Sequence, residues 1–145
     1  MKRLGPLITA FALLATSSAH AGPVAEFEAS FREMYGIYRI ALFQTNAGEH
    51  AESFTAVTDL SDQLAALAEI WGEDPPPQYQ DDHLWGATID TARALVGTAN
   101  DQVAAHELSE AHETLESLRD LFGELHARNG IETFSDRMNA YHAAM

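Results

Sequence analysis

The chain has 145 residues, no cysteine, and 22 acidic against eight basic residues, a formal net charge of −14 with His neutral. Lack of cysteine excludes disulfides, thiolate nucleophiles, Cys-ligated zinc, iron–sulfur clusters and covalently attached c-type haem. The carboxylate excess disfavours nucleic acid and anionic lipid surfaces, which reward clustered Lys and Arg, and favours cations and basic proteins as partners.

The N-terminus reads as a secretory signal peptide over residues 1–21. Lys2 and Arg3 form the charged region, Pro6 to Thr16 is an apolar run too short to span a bilayer, and Ala19-His20-Ala21 is a small-x-small cleavage site. The expectation is a periplasmic protein starting at Gly22, without a membrane span once the signal is removed, and folded as one helical-bundle domain over residues 22–145. Cleavage removes the only lysine, which excludes Schiff-base chemistry, and leaves six arginines to face all 22 acidic residues.

Hydrophobic spacing then predicts helices in chain order. Phe27, Phe31, Met34, Tyr38 and Leu42 recur at steps of three and four, one stripe of a helix ending at Asn46-Ala47-Gly48. Phe54, Val57, Leu60, Leu64, Leu67 and Trp71 repeat the pattern up to Gly72, where Pro75-Pro76-Pro77 forces an extended connection and Tyr79 can anchor it onto the end of the fold. A third helix is expected from about Asp81-Asp82, whose carboxylates complement its N-terminal dipole, with Trp85, Ile89, Ala92, Val96, Ala99 and Val103 as its stripe. After a short turn at Ala104 to Glu107, Leu108, Leu115, Leu118, Phe122 and Leu125 mark a fourth helix closed by Asn129-Gly130. Ile131, Phe134, Met138, Tyr141 and Met145 mark a short fifth helix, whose stripe argues against a solvated tail. No alternating strand pattern occurs, so the expected fold class is all-α: an antiparallel four-helix bundle with an additional short C-terminal helix.

The candidate chemistry rests on His and Met. Met138, His142 and Met145 fall at i, i+4 and i+7, so one helix face would carry thioether, imidazole and thioether, donors that suit Cu(I) or axial ligation of haem iron. Met34, mid-stripe on the first helix, could add a third thioether. The competing reading makes the methionines gap-fillers of the core and His142 an edge residue with a hydrogen bond. A secondary metal set is His106, Glu110, His112 and His126: Glu110 lies at i+4 from His106, while the order of residues does not form HExxH. Such Glu/His runs are more often solvated helix faces.

No Gly-x-Ser-x-Gly elbow, Gly-rich phosphate loop or paired carboxylates in contrasting environments occur, so an enzyme is not expected. A secreted four-helix bundle of this size with a His near the end of its last helix resembles the superfold shared by cytochrome b562 and the cytochromes c′. Asn139-Ala140-Tyr141-His142 is similar to the stretch carrying the axial histidine in cytochrome b562, and Ala25-Glu26-Phe27-Glu28 is similar to that family's start. The resemblance implies non-covalent haem b. The chain departs from the family in placing Phe31 at the axial methionine register, with Met34 one turn later. In the family's register for the fourth helix, Leu125-His126 takes the haem-binding end. The expected function is a periplasmic copper or haem carrier, or electron-transfer accessory, using Met34, Met138, His142 and Met145. The alternative is an interaction module or chaperone-like bundle that presents its acidic surface to a basic periplasmic protein.

Overall fold

A computed structural model describes residues 22–145, with the side chains of His142 and Ala143 outside the described set. The expected signal peptide, residues 1–21, lies outside the described residues. The described chain is all-helical: α1 (Pro23–Ala47), α2 (His50–Trp71), a single 3-10 turn (Pro77–Tyr79), α3 (Trp85–Ala104), α4 (Leu108–Arg128) and α5 (Phe134–Ala143). None of these helices is long and apolar enough to cross a membrane.

The helix ends follow from local chemistry. Proline sits in the first turn of α1, where its missing N–H costs nothing, and Glu26 complements the helix dipole there. Three helices finish in the same way. Glu49 N–H reaches Gln44 O at 3.2 Å, Glu107 N–H reaches Gln102 O at 2.8 Å, and Ile131 N–H reaches His126 O at 2.9 Å. These are six-to-one bonds of Schellman turns, which place the preceding residue in the left-handed region. Gly48 (φ 78°) and Gly130 (φ 66°) occupy that position without strain, whereas at the end of α3 it is His106 (φ 65°). A left-handed non-glycine costs on the order of 1 kcal/mol.

Each long helix buries the stripe its sequence announces. Phe27, Met34, Tyr38, Val57, Leu60, Leu64, Leu67, Trp85, Ile89, Val96, Val103, Leu115, Leu118, Phe122 and Leu125 form one core with interleaved alanines. Phe54 departs from expectation and is exposed, because α2 turns Ser53, Ala56 and Val57 inward instead. The four helices pack in a closed ring: α1 on α2, α2 on α3, α3 on α4, and α4 back on α1. The seam between α1 and α4 is the most specific. Phe31 meets Phe122 edge-on at 5.2 Å, the Tyr38 hydroxyl donates to Leu115 O at 3.1 Å, and the His112 imidazole donates from Nδ1 to Leu42 O at 3.1 Å. Burial pushes the Tyr38 phenol well above its ordinary range, which favours the protonated, donating form.

At one end an aromatic plug seals the core. Tyr79 is fully buried, stacks on Trp85 at 5.0 Å and meets Phe27 edge-on, while the Trp85 indole donates to Trp71 O at 2.7 Å. The triproline connection thus ends in an anchor, as expected. The third helix, however, begins at Trp85 rather than at Asp81-Asp82. Asp82 is drawn elsewhere. Its carboxylate accepts from Leu84 N–H at 3.0 Å, from Arg128 Nε at 2.9 Å and from Asn129 Nδ2 at 2.9 Å, tying the linker to the end of α4.

The fifth helix corrects the expectation of a packed stripe. Phe134 is 78% exposed, Tyr141 61% and Met145 79%. Among the described hydrophobic side chains of this segment, only Ile131, ahead of the helix, packs against the core.

The Asp82 cluster yields a test. Burial acts to raise its pKa but is outweighed by hydrogen bonds from Asn129, Leu84 N–H and Arg128, so the carboxyl titrates below its ordinary range. Stability gained from such a group is present above the unfolded pKa and lost as pH falls through the folded one. Asp82→Ala should therefore cost about 2 kcal/mol at neutral pH, the size of a lost charge-assisted hydrogen-bond set. Denaturant titrations should also show the difference from wild type shrinking between about pH 5 and pH 2.

Candidate functional site

The sequence-predicted ligand set is dispersed. Met34 is 1% exposed in the core, Met138 is 39% exposed and Met145 79%, both on the α5 segment, while the side chain of His142 lies outside the described residues. Haem b would need its axial thioether to face a slot between helices; Met34 is enclosed by core side chains and lines neither cavity flanking α5. Met138 lines one of these cavities, beside Tyr38 and Leu42.

The secondary set does not form the helical arrangement its spacing suggested. His106 precedes α4 in the left-handed turn, so it shares no helix face with Glu110. Its ring stacks instead on His50 at 3.8 Å, and the His50 imidazole donates from Nε2 to Val103 O at 2.9 Å. Glu110 is exposed in the first turn of α4. His112 faces α1, and His126 lies fourteen residues further along α4, a rise of about 21 Å. No group of three His, Asp or Glu among the described residues is placed to hold a metal ion.

What the structure does assemble is a groove of about 430 Å³ between α1, α4 and the start of α5. Its walls are Phe31 and Tyr35 from α1, Phe122 from α4 and Phe134 from α5. A second hollow of about 320 Å³ adjoins it, sharing Tyr35, Arg39, Arg119 and Phe134 and adding Met138. Helical spacing explains the α1 wall: residues 28, 31, 32, 35, 36 and 39 fall along one face of that helix. Gly36 keeps that wall low, since a Cβ there would meet nothing within 4 Å.

His126 fixes the far end. It is 5% exposed, its ring lies edge-on to Phe31 at 5.6 Å, and Nδ1 donates to Asp136 Oδ2 at 3.0 Å. Asp136 in turn accepts from Thr133 N–H at 2.8 Å and Thr133 Oγ1 at 2.7 Å, while Asp136 N–H donates back to Thr133 Oγ1 at 3.2 Å. This reciprocal cap starts α5, and the same carboxylate latches it to α4. Burial acts to raise the Asp136 pKa, but the Thr133 and His126 bonds outweigh it and hold the carboxyl below its ordinary range.

The charges around the groove divide into used and unused. Glu28 accepts from Gln78 Nε2 at 3.0 Å, Asp136 is occupied as described, and Arg119 pairs with Asp120 at 3.2 Å and Glu116 at 3.3 Å. Arg32 and Arg39 have neither an ion pair nor a side-chain hydrogen bond among the described residues. Arg32, Arg39, Tyr35 and Phe122 do not stand out as a site in the sequence. Their signal there is two of the seven arginines, seven residues apart on α1 and flanking Tyr35-Gly36.

The chain matches no family model, no curated protein and no solved structure.

Asp136→Asn should loosen α5 without unfolding the ring. It weakens both the cap and the latch, while the α5 segment leaves Phe134, Tyr141 and Met145 exposed and so contributes little to the core. Amide exchange across residues 131–143 should quicken by about tenfold, with global stability lowered by less than about 1 kcal/mol.

Proposed function

We propose that the chain is a non-catalytic binding protein of the periplasm, an antiparallel four-helix bundle with an appended fifth helix, and that its site is the groove between α1, α4 and α5. Pairing of Phe31 with Phe122 and His126, of Tyr38 with Leu115 and of Leu42 with His112 supports opposite directions for α1 and α4. The export signal expected over residues 1–21 supports the location.

The single observation behind the binding reading is the groove of about 430 Å³, walled by Phe31, Tyr35, Phe122 and Phe134 and rimmed by charged groups. That volume falls within the range of small-molecule sites, and aromatic walls with a few fixed polar groups are their usual lining. A groove whose third wall is a latched, marginally packed helix can admit and release a ligand through local opening, at a fraction of the cost of unfolding. The function is therefore capture and carriage of a small ligand with an apolar body.

The test fills the groove. Gly36→Phe adds a ring where a Cβ meets nothing within 4 Å, so the fold should tolerate it, and removing a mid-helix glycine favours α1 by up to about 1 kcal/mol. The neutral fluorescent probe phenylnaphthylamine should bind wild type with micromolar affinity and bind Gly36→Phe at least tenfold more weakly. Equal binding to a folded variant would move the site elsewhere.

A second reading is favoured by the exposure of Met138 and Met145 on the α5 segment, where two thioethers are open to solvent. With His142, at i+4 from Met138 in the sequence, they supply thioether and imidazole donors that suit Cu(I), with Met34 serving the core. In competition with a Cu(I) chelator, Met138→Leu combined with Met145→Leu should lower copper affinity by an order of magnitude or more at unchanged melting temperature. Wild-type affinity weaker than about micromolar removes this reading.

A further inference from the structure

Resting on the groove reading, the geometry points to an organic anion as the ligand: a carboxylate or phosphate head met by Arg39 and Arg119, with an apolar, ring-sized body lodged among Phe31, Phe122 and Phe134. The placement of the arginines carries this. Outside the first 21 residues the chain has six arginines, of which Arg32, Arg39 and Arg93 have no ion pair or side-chain hydrogen bond among the described residues. Of these, Arg32 and Arg39 lie two turns apart on one face of α1, and both line the same groove.

Acidic groups on the groove wall are meanwhile held in place by hydrogen bonds to other partners, although they keep their charge. Glu28 is held by Gln78, and Asp136 by Thr133 and His126. Asp120 and Glu116 hold Arg119 in place, 29% exposed by its side chain, while leaving it part of the groove wall. Arg39 and Arg119 line both the groove and the adjoining hollow, so they stand at the boundary between the two, one from α1 and one from α4. A head group there meets guanidinium donors from two helices, and planar bidentate geometry suits carboxylate and phosphate oxygens. Arg32 adds positive potential at the other end of the wall. The aromatic faces take the body, since their flat apolar surfaces reward ring stacking and shed water.

The experiment uses two probes sharing one ring system, anilinonaphthalenesulfonate, which carries an anionic head, and neutral phenylnaphthylamine. Both are titrated by fluorescence into wild type, Arg39→Gln, the double variant Arg32→Gln with Arg39→Gln, and Arg93→Gln. The last removes the same charge from the α2–α3 side of the molecule, where Arg93 lines a different hollow. Circular dichroism confirms that each variant is folded. The inference requires that Arg39→Gln weaken the sulfonate about tenfold and the double variant further, with phenylnaphthylamine changed less than about twofold and Arg93→Gln without effect on either.

Equal losses for both probes, no loss for the sulfonate, or an Arg93→Gln effect as large as that of Arg39→Gln would overturn the anion assignment. If phenylnaphthylamine still binds wild type and is lost in Gly36→Phe, the groove reading survives that failure. Wild type binding neither probe overturns both. Competition by benzoate and by phenyl phosphate against bound sulfonate then separates a carboxylate head from a phosphate one.

Discussion

The α1–α4 seam is the contact on which the rest depends, because it closes the ring of four helices and also makes the floor of the groove. Phe31 sits at its centre, within 5.2 to 6.0 Å of Phe27, Tyr35, Phe122 and His126. A ring in that position ties the aromatic plug at the linker end to the latch that holds α5. Further along, the Tyr38 hydroxyl reaches across to Leu115 O, and His112 reaches back to Leu42 O. The first satisfies a buried polar group, whose isolation would cost about 1–3 kcal/mol, the second a part-buried one, and each works in only one register of the two helices. Apolar packing supplies most of the stability, while these few polar contacts select the alignment.

Polar ties also set what the C-terminal third of the chain does. Asp82, its side chain only 2% exposed, joins the linker before α3 to Arg128 and Asn129 at the end of α4. Close by in sequence, His126 and Asp136 join α4 to α5. The end of α4 is thereby held from two sides, and the Schellman turn at Gly130 directs the chain back across the face of α1. The position of α5, and with it the third wall of the groove, follows from a helix cap and one imidazole–carboxylate pair rather than from a hydrophobic stripe.

That difference explains what can be seen in the sequence. The stripes of α1 to α4 are strongly periodic, and burial of apolar surface outweighs every other contribution to their placement, so their existence, order and inward residues are legible. The fifth stripe, from Ile131 to Met145, has the same period but lacks a facing surface: the ring is already closed by α1 and α4, and only Ile131 finds a place against it. Periodicity reports a helix's capacity to be buried, not the presence of something to bury it. His106 is legible as part of a turn but not as the left-handed residue of a Schellman motif, a place glycine usually fills, and so its spacing to Glu110 carries a false helical geometry. The groove is half legible. Arg32, Tyr35, Gly36 and Arg39 share a face by helical spacing alone, but their meeting with Phe122 and Arg119 depends on which face of α4 the seam selects.

Composition suggests cations as the natural partners of so acidic a chain, and the proposed anion site has to work against that field. Net charge governs the field at distances beyond a Debye length, about 8 Å at physiological ionic strength, whereas a guanidinium acts on a ligand in contact. Asp136 and Glu28 keep their charge but are held in place by the hydrogen bonds they accept. Arg32 and Arg39, without such partners among the described residues, have donors available to a ligand. In that reading an anion approaching the molecule meets repulsion first and attraction on contact with the groove arginines, and salt screens the long-range repulsion more completely than the short-range contact. Acidity of the surface and affinity for an anion are compatible because they operate at different distances. In the proposed reading the same separation confines anion binding to the groove, where Arg32, Arg39 and Arg119 come together, giving selectivity to a site whose walls, being apolar, supply little of their own.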